Sequence, residues 1–331
     1  MSIKAIKAQT GFSYSTISRV LSGKADAFRI STITREQILE AAARLNYRPN
    51  ILARSLRLRK TMTVGLIVSD IQNPFFGELA SRIEQDLRFH GYSMILCNTN
   101  EVPENEEFYL KLLVDRKVDG ILIAPIQTAE WESMQILVRE TPVVLVDRIF
   151  ADTALPWVTS ANVEAAEEVT REILGRGYRK IAFLGGPPET HITRARFKGF
   201  RKAVVETLGR LDESFVLSKG YTAQAGREMM IRLLDERPDV EAVLCVNNLV
   251  FYGAVGPVND FELRQARPVM MAGFDIGEYA SLMKRPLISA DQNLAELARS
   301  AVGLLLEADA GAADAANHLT IPVVIARHRL P

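Results

Sequence analysis

The 331-residue sequence predicts an α/β protein, with a three-helix N-terminal head, a hinge helix and a two-lobed body with parallel sheets. Three observations predict it. Residues 1–60 hold twelve Lys and Arg against three acidic side chains, a charge of +9 that leaves −9 for the rest of a formally neutral chain. Within that basic part, short amphipathic segments flank a Gly-containing turn. From Thr63 onward, short apolar runs alternate with helical patterns, as in parallel sheets covered on both faces by crossover helices.

The head divides into three helical segments. Ile3 to Gln9 puts Ile3 and Ile6 on one face. In TGFS, Gly11 allows a tight turn and Ser13 can cap the next helix. YSTISRVLSGK then points Ile17, Val20 and Leu21 inward and Tyr14, Ser15, Ser18 and Arg19 outward. This is the helix-turn-helix pattern, whose second helix enters the major groove of DNA. A third helix is expected from a Ser31 cap to Asn46, with Ile38, Leu39, Ala42 and Leu45 inward; it ends at NYRPN because the residue before Pro49 is pushed out of the helical region. A head this small has a marginal core, which suits a tethered reader better than an enzyme. Basic charge at one end of an acidic body points to a polyanion bound there.

Pro49 to Lys60, PNILARSLRLRK, joins head to body and alternates Arg54, Arg57, Arg59 and Lys60 with Ile51, Leu52, Leu56 and Leu58. Too short to be a stable isolated helix, it is expected to become helical when a partner chain and DNA supply contacts.

The body has the composition of a globular protein, 48% hydrophobic and 24% charged, and the whole chain is too long for one ordinary core. No run has the apolar length of a membrane span, and MSIKAIKAQTGF lacks an apolar signal core, so a cytoplasmic location away from membranes is expected. Cys97 and Cys245 each sit inside an apolar run and read as buried thiols. The strands TVGLIVS, YSMILCN and VDGILIA alternate with the helices PFFGELASRIEQDLRFH and ENEEFYLKLLVDRK; KIAFLGG, EAVLCVN and PVMMAGFD repeat the alternation from near Val163. An echo of Gly91-Tyr92 at Gly177-Tyr178 suggests two similar lobes.

Open α/β sheets bind ligands in loops at the carboxyl ends of their strands. Asn73 there can bond a hydroxyl, and Phe75 and Phe76 offer apolar faces, with a core role for one of them left open. Asp147 and Arg148 follow PVVLV, Asn247 follows EAVLCV, and Asp275, which follows the strand in AGFD, can accept two adjacent hydroxyls. Catalysis is not expected: His90, His191, His318 and His328 form no metal-spaced pair, no G-x-S-x-G elbow, P-loop or dinucleotide fingerprint occurs, and nothing separates the protonation roles of Asp147 and Asp275. No cofactor or metal is expected.

TGFSYSTISRVLSGK, LNYRPNILARSLR and TVGLIVSDIQNPFF, in that order, resemble the LacI/GalR family of bacterial transcription regulators, over essentially the whole chain. GKADAFRIS is longer than the family's usual connection and resembles the fructose-repressor branch. The resemblance implies a helix-turn-helix DNA-binding domain at 1–48, a hinge helix at 49–61 and a periplasmic-binding-protein-like effector and dimerisation domain at 62–331. Lobe 1 is then about 62–160 and 292–318, and lobe 2 about 161–291 and 319–331, with crossings near Ser160, Asp291 and Leu319. Tyr14, Ser15 and Arg19 become the base readers, Arg19 able to contact guanine in a bidentate manner. Ser13, Thr16, Ser18, Asn46 and Arg57 are expected on phosphates, and Leu56, beside Ala53, as a wedge in the minor groove.

In the body the resemblance implies that Asp147 and Arg148 bind sugar hydroxyls, that Arg196 holds ring hydroxyls or an anionic group, and that Gln292 lies at a crossing. Asn247-Asn248 departs from the Asn-Asp of many relatives, and VGPVNDFELRQARP is unusual. The expected function is a repressor on a pseudo-palindromic operator, released or recruited by a sugar or sugar phosphate between the lobes. A homodimer is expected through the helix at Phe76 to Phe89 and the segment from Glu106, with no leucine heptads after IPVVIARHRLP to build a tetramer. Two alternatives stay open: the same regulator under a protein corepressor, or a cytoplasmic sugar-binding or sugar-processing protein.

Overall fold

Head and body are separate units. The computed structural model describes residues 3–47, 60–126, 141–150, 153–283, 285–309 and 318–328, and the chain divides into Met1–Thr61 and Met62–Pro331. The hinge residues Ala53, Leu56 and Arg57 lie outside the described residues.

The head folds as α1 (Ile3–Thr10), α2 (Tyr14–Leu21) and α3 (Thr32–Arg44). Gly11, at φ 74°, makes the first turn. The Ser13 hydroxyl accepts the Thr16 amide at 3.1 Å and Ser31 does the same for Thr34 at 3.2 Å, so both later helices start at their side-chain caps. Ile6, Ile17, Val20, Ala25, Ile38, Ala41 and Ala42 form the small core. Two expectations change. α3 stops at Arg44 because Asn46 turns left-handed at φ 44° and the Tyr47 amide returns to the Ala42 carbonyl. Leu39 is 43% exposed, and Ala41 takes the inward place. The long connection winds into a 3-10 turn at Asp26–Phe28.

The body's first lobe runs β1 (Thr63–Val68), α4 (Pro74–Phe89), β2 (Ser93–Asn98), α5 (Pro103–Asp115), β3 (Gly120–Ile123), β4 (Val143–Val146) and β5 (Trp157–Ser160). The second runs α6 (Asn162–Gly175), β6 (Ile181–Gly185), α7 (His191–Leu208), β7 (Val216–Ser218), α8 (Ala223–Glu236), β8 (Ala242–Cys245), α9 (Asn248–Gln265), β9 (Met270–Phe274) and β10 (Leu287–Gln292). The chain then returns to the first lobe with α10 (Leu294–Asp309) and β11 (His318–Ile321) and ends its described part in the second with β12 (Val323–His328).

The two sheets have the strand orders β11-β5-β4-β3-β1-β2 and β12-β10-β9-β8-β6-β7. Among the described residues all strand pairings are parallel except β10 with β12. The last crossing falls at Pro322 rather than Leu319, because β11 stays paired with β5 through Ile321. The middle one follows Gln292, the last residue of β10.

Alternation sorts the first sheet's side chains: Val64, Leu66, Val68 and Leu122 join one apolar cluster, whereas Ile67, Ile121 and Ile123 join the other. The second lobe has one large cluster centred on Phe183, Phe200, Phe251 and Phe274. Its α8 and α9 approach closely at two glycines: a Cβ on Gly226 would stand 2.2 Å from the Val250 carbonyl oxygen, and one on Gly253 would stand 1.8 Å from that of Ala223.

The lobes do repeat, as the Gly-Tyr echo suggested, although its two copies do not occupy equivalent places. Gly91 closes α4, between β1 and β2, whose counterpart between β6 and β7 is α7, closed by Gly209 at φ 82°. Gly177 instead closes α6, the helix by which the chain enters the second lobe. Cys97 and Cys245 are buried free thiols. Among the described residues, no helix is long and apolar enough to cross a membrane.

Candidate functional site

A cavity of about 340 Å³ opens at the carboxyl ends of both sheets. Asn73, Phe75, Phe76, Asp147, Arg148, Arg196, Asn247, Asp275 and Gln292 all line it, together with Glu101, Tyr221 and Asn248. Its size lies at the small end of the range for ligand pockets.

Asp147 directly follows β4 and Asp275 directly follows β9, the third strand of its sheet in each case. Both residues are left-handed, at φ 66° and 53°, a conformation disfavoured for a residue with a Cβ and concentrated at functional sites. Burial raises the Asp147 pKa above the usual carboxylate value, against the pull of Arg196 and Arg148. Burial likewise lifts Asp275 to about 6, with Arg196 and the Gln292 hydrogen bonds opposing. The Gln292 backbone amide and side-chain Nε2 donate to the two Asp275 oxygens at 2.9 and 2.6 Å. That leaves Gln292 Oε1 buried with no partner.

The two arginines are held in different ways. Arg196 is buried, donates from Nε to Asn162 Oδ1 at 2.8 Å and from Nη1 to the Val246 carbonyl, and lies 3.6 Å over the Phe274 ring. Burial lowers its pKa, and the nearby Asp275 and Asp147 limit the drop. Arg148 does not pair with its neighbour Asp147. It makes a bidentate pair with Glu101, Nη2 to Oε1 at 2.6 Å and Nη1 to Oε2 at 3.0 Å. Burial alone would lower the Arg148 pKa; the Glu101 hydrogen bonds and charge outweigh it, and the net shift is upward.

Phe75 and Phe76 meet edge to face at 5.0 Å, both buried in the first lobe's core while forming part of the cavity wall. Asn247 is engaged locally: its Oδ1 caps α9 through the Val250 amide at 2.9 Å and its Nδ2 donates to the Tyr221 carbonyl at 3.0 Å. The next residue reaches across the cavity. Asn248 Nδ2 donates to Asn73 Oδ1 at 2.8 Å, and the same oxygen caps α4 by accepting the Phe75 amide at 3.1 Å.

Glu101, Tyr221 and Asn248 were not among the candidates read from sequence. The first two sit just beyond β2 and β7, so the rule of strand carboxyl ends could have found them. Tyr221 is fixed by hydroxyl hydrogen bonds with Thr190 and Thr193, and Gly186 gives it room, since a Cβ there would come within 2.2 Å of the ring. Among the described residues no cluster of His, Cys, Asp and Glu is placed to hold a metal ion.

In the head, α2 exposes Tyr14, Ser15 and Arg19, with Ser13 exposed at its cap and Thr16 and Ser18 half-buried. Asn46 is exposed past the end of α3. The Lys7 ammonium lies 4.6 Å from the Tyr14 ring centre and the Arg19 guanidinium 3.9 Å from that of Phe28.

Comparison with known proteins bears on both units. Residues 61–274 match the family of periplasmic binding proteins and the sugar binding domain of the LacI family, and residues 2–50 match the bacterial regulatory proteins of the lacI family. The HTH-type transcriptional repressor PurR of Haemophilus influenzae is 28% identical over 92% of this chain and 90% of its own. Catabolite control protein A of Priestia megaterium is 29% identical over 92% and 91%. The fold is shared with a lac repressor dimer bound to operator, at a TM-score of 0.84, 21% identity and coverage of 99% and 98%.

Proposed function

The chain belongs to the LacI family of bacterial regulatory proteins and is a DNA-binding transcriptional regulator controlled by a small-molecule effector; on that premise we propose that it is a repressor whose effector is a sugar held between the lobes. The observation that carries the reading is the cavity itself. Two desolvated carboxylates, one from each lobe, and the unpartnered Gln292 Oε1 are acceptors awaiting hydroxyl donors, beside the Phe75, Phe76 and Tyr221 rings. Acceptors beside apolar walls suit a sugar, whose ring faces are apolar and whose edges carry O–H groups. No catalytic step is assigned to them.

In the head, Tyr14, Ser15 and Arg19 are the residues we assign to base edges, with Ser13, Thr16, Ser18 and Asn46 on phosphates. The protein acts in the cytoplasm as a dimer, as the lac repressor of the fold comparison does on its operator. On the first lobe, Phe89 is 87% exposed, Phe108 59% and Leu96 41%, apolar side chains of the kind a second copy covers.

The test is selection of duplexes by the full chain from a random library, followed by titration of sugars. A pseudo-palindromic site is expected, from which one sugar shifts the affinity at least tenfold. Selected DNA whose affinity no sugar changes would overturn the sugar reading. Arg19→Ala should lose about 1–3 kcal/mol of discrimination at one base pair while keeping most non-specific binding.

A further inference from the structure

Glu101 is a residue that neither the sequence patterns nor the comparisons assign. It stands at φ 57°, directly after Asn100 at φ 53°, and two successive left-handed residues with side chains are a strained arrangement that the surrounding structure must hold in place. The Thr99 and Glu101 amides anchor the loop to the Val68 and Ser69 carbonyls at 2.9 and 3.0 Å. The strain aims the Glu101 carboxylate at Arg148, where it takes both Nη groups.

Resting on the sugar reading above, we propose that Glu101 makes the cavity selective for uncharged polyhydroxyl effectors and closes it to their phosphate esters. The lining residues include five carboxylates, Asp70, Glu101, Asp147, Glu189 and Asp275, against two cations, and no Lys or His. Glu101 takes both Arg148 Nη groups and neutralises that charge inside the cavity, while Arg196 spends Nε on Asn162 and Nη1 on the Val246 carbonyl, with its face on Phe274. Two of the helix starts at the cavity, the other common kind of anion site, are also engaged: α4 opens with Pro74 and is capped by Asn73, and α9 is capped by Asn247. A phosphate brings only acceptors and like charge to a wall of acceptors; a hydroxyl brings the donor that Gln292 Oε1 lacks.

The experiment measures binding by thermal shift and calorimetry on the full chain, using matched pairs: ribose and ribose 5-phosphate, fructose and fructose 1-phosphate, glucose and glucose 6-phosphate, with inorganic phosphate as a probe. In the wild type, a parent sugar should bind at least about hundredfold tighter than its ester, and phosphate should not bind. Glu101→Gln, which keeps the side chain's size and releases Arg148, should narrow the gap at least tenfold and admit phosphate; Glu101→Ser should do the same. An ester that binds the wild type as tightly as its parent overturns the proposal, as does a released Arg148 that gains no affinity for ester or phosphate in either variant. If no sugar binds in either form while the variants gain phosphate, the sugar reading fails and the gating role of Glu101 stands.

Discussion

The two lobes share one strand order, apart from the direction of the edge strands β11 and β12, and furnish their strand ends differently. Third strands β4 and β9 each end in a left-handed aspartate, so the cavity has a carboxylate from either side. After the last strand of each sheet the likeness ends. Beyond β2 the first lobe places Glu101, which holds an arginine; beyond β7 the second places Tyr221, a ring fixed by two threonines. The repeat therefore gives acceptors on both sides, while charge control belongs to the first lobe and the aromatic ledge of Tyr221 to the second. A duplicated scaffold leaves its edge loops free to diverge, because they are not bound by sheet packing.

The largest expected effect tests the symmetric part. Asp147→Ala and Asp275→Ala should each weaken effector binding by about 3 kcal/mol, at least hundredfold, if each carboxylate accepts charge-assisted hydrogen bonds. Calorimetry on both decides it; a loss confined to one variant would break the equivalence of the lobes. A comparable effect on stability is expected at Gly253, where a methyl group would meet the Ala223 carbonyl. Gly253→Ala should cost about 3 kcal/mol in denaturant unfolding.

Acid should act through Asp275. Folding raises its pKa to about 6, so the folded state keeps a proton that the unfolded chain releases from about pH 4 upward. This group's contribution to stability is therefore complete below pH 4 and is lost as pH rises through 6, an amount up to about 3 kcal/mol. The stability difference between wild type and Asp275→Asn should fall by that amount over the interval. Effector affinity runs the other way, dropping as pH falls below about 6 and the acceptor is protonated. A flat difference would show that Asp275 does not carry the titration.

Asn248→Asp probes the bond between the lobes. Asn73 Oδ1 is committed as an acceptor by its cap, so residue 248 must donate, and an ionised Asp cannot. A loss of about 1–2 kcal/mol in effector affinity is expected. An unchanged affinity would show that this bond does not contribute to effector binding.

The sequence made the sheets legible because their strands are continuous apolar runs, and it made Asp147 and Asp275 legible because polar residues directly after such runs stand out. The hydrogen-bond assignments were not legible. Asn247 reads as a ligand residue and serves as a helix cap, while Asn248, noticed only as a departure, crosses the cavity. Nothing in CNTNEVP announces that Asn100 and Glu101 turn left-handed; that depends on the Ser69 and Val68 carbonyls, far away in the chain. The Gly-Tyr echo pointed to two similar lobes, which the sheets bear out, although its two copies are not equivalent positions: two helices can share a terminator without sharing a place in the repeat.

Asn73 has one more property, which is mechanical. The oxygen that receives Asn248 also fixes the first turn of α4, a helix of 16 residues and therefore about 24 Å long. At its other end stands the exposed Phe89. Over that length a tilt of about 5° at the Asn73 cap would sweep the Phe89 end through about 2 Å, turning a displacement at one hydrogen bond into a movement at the surface.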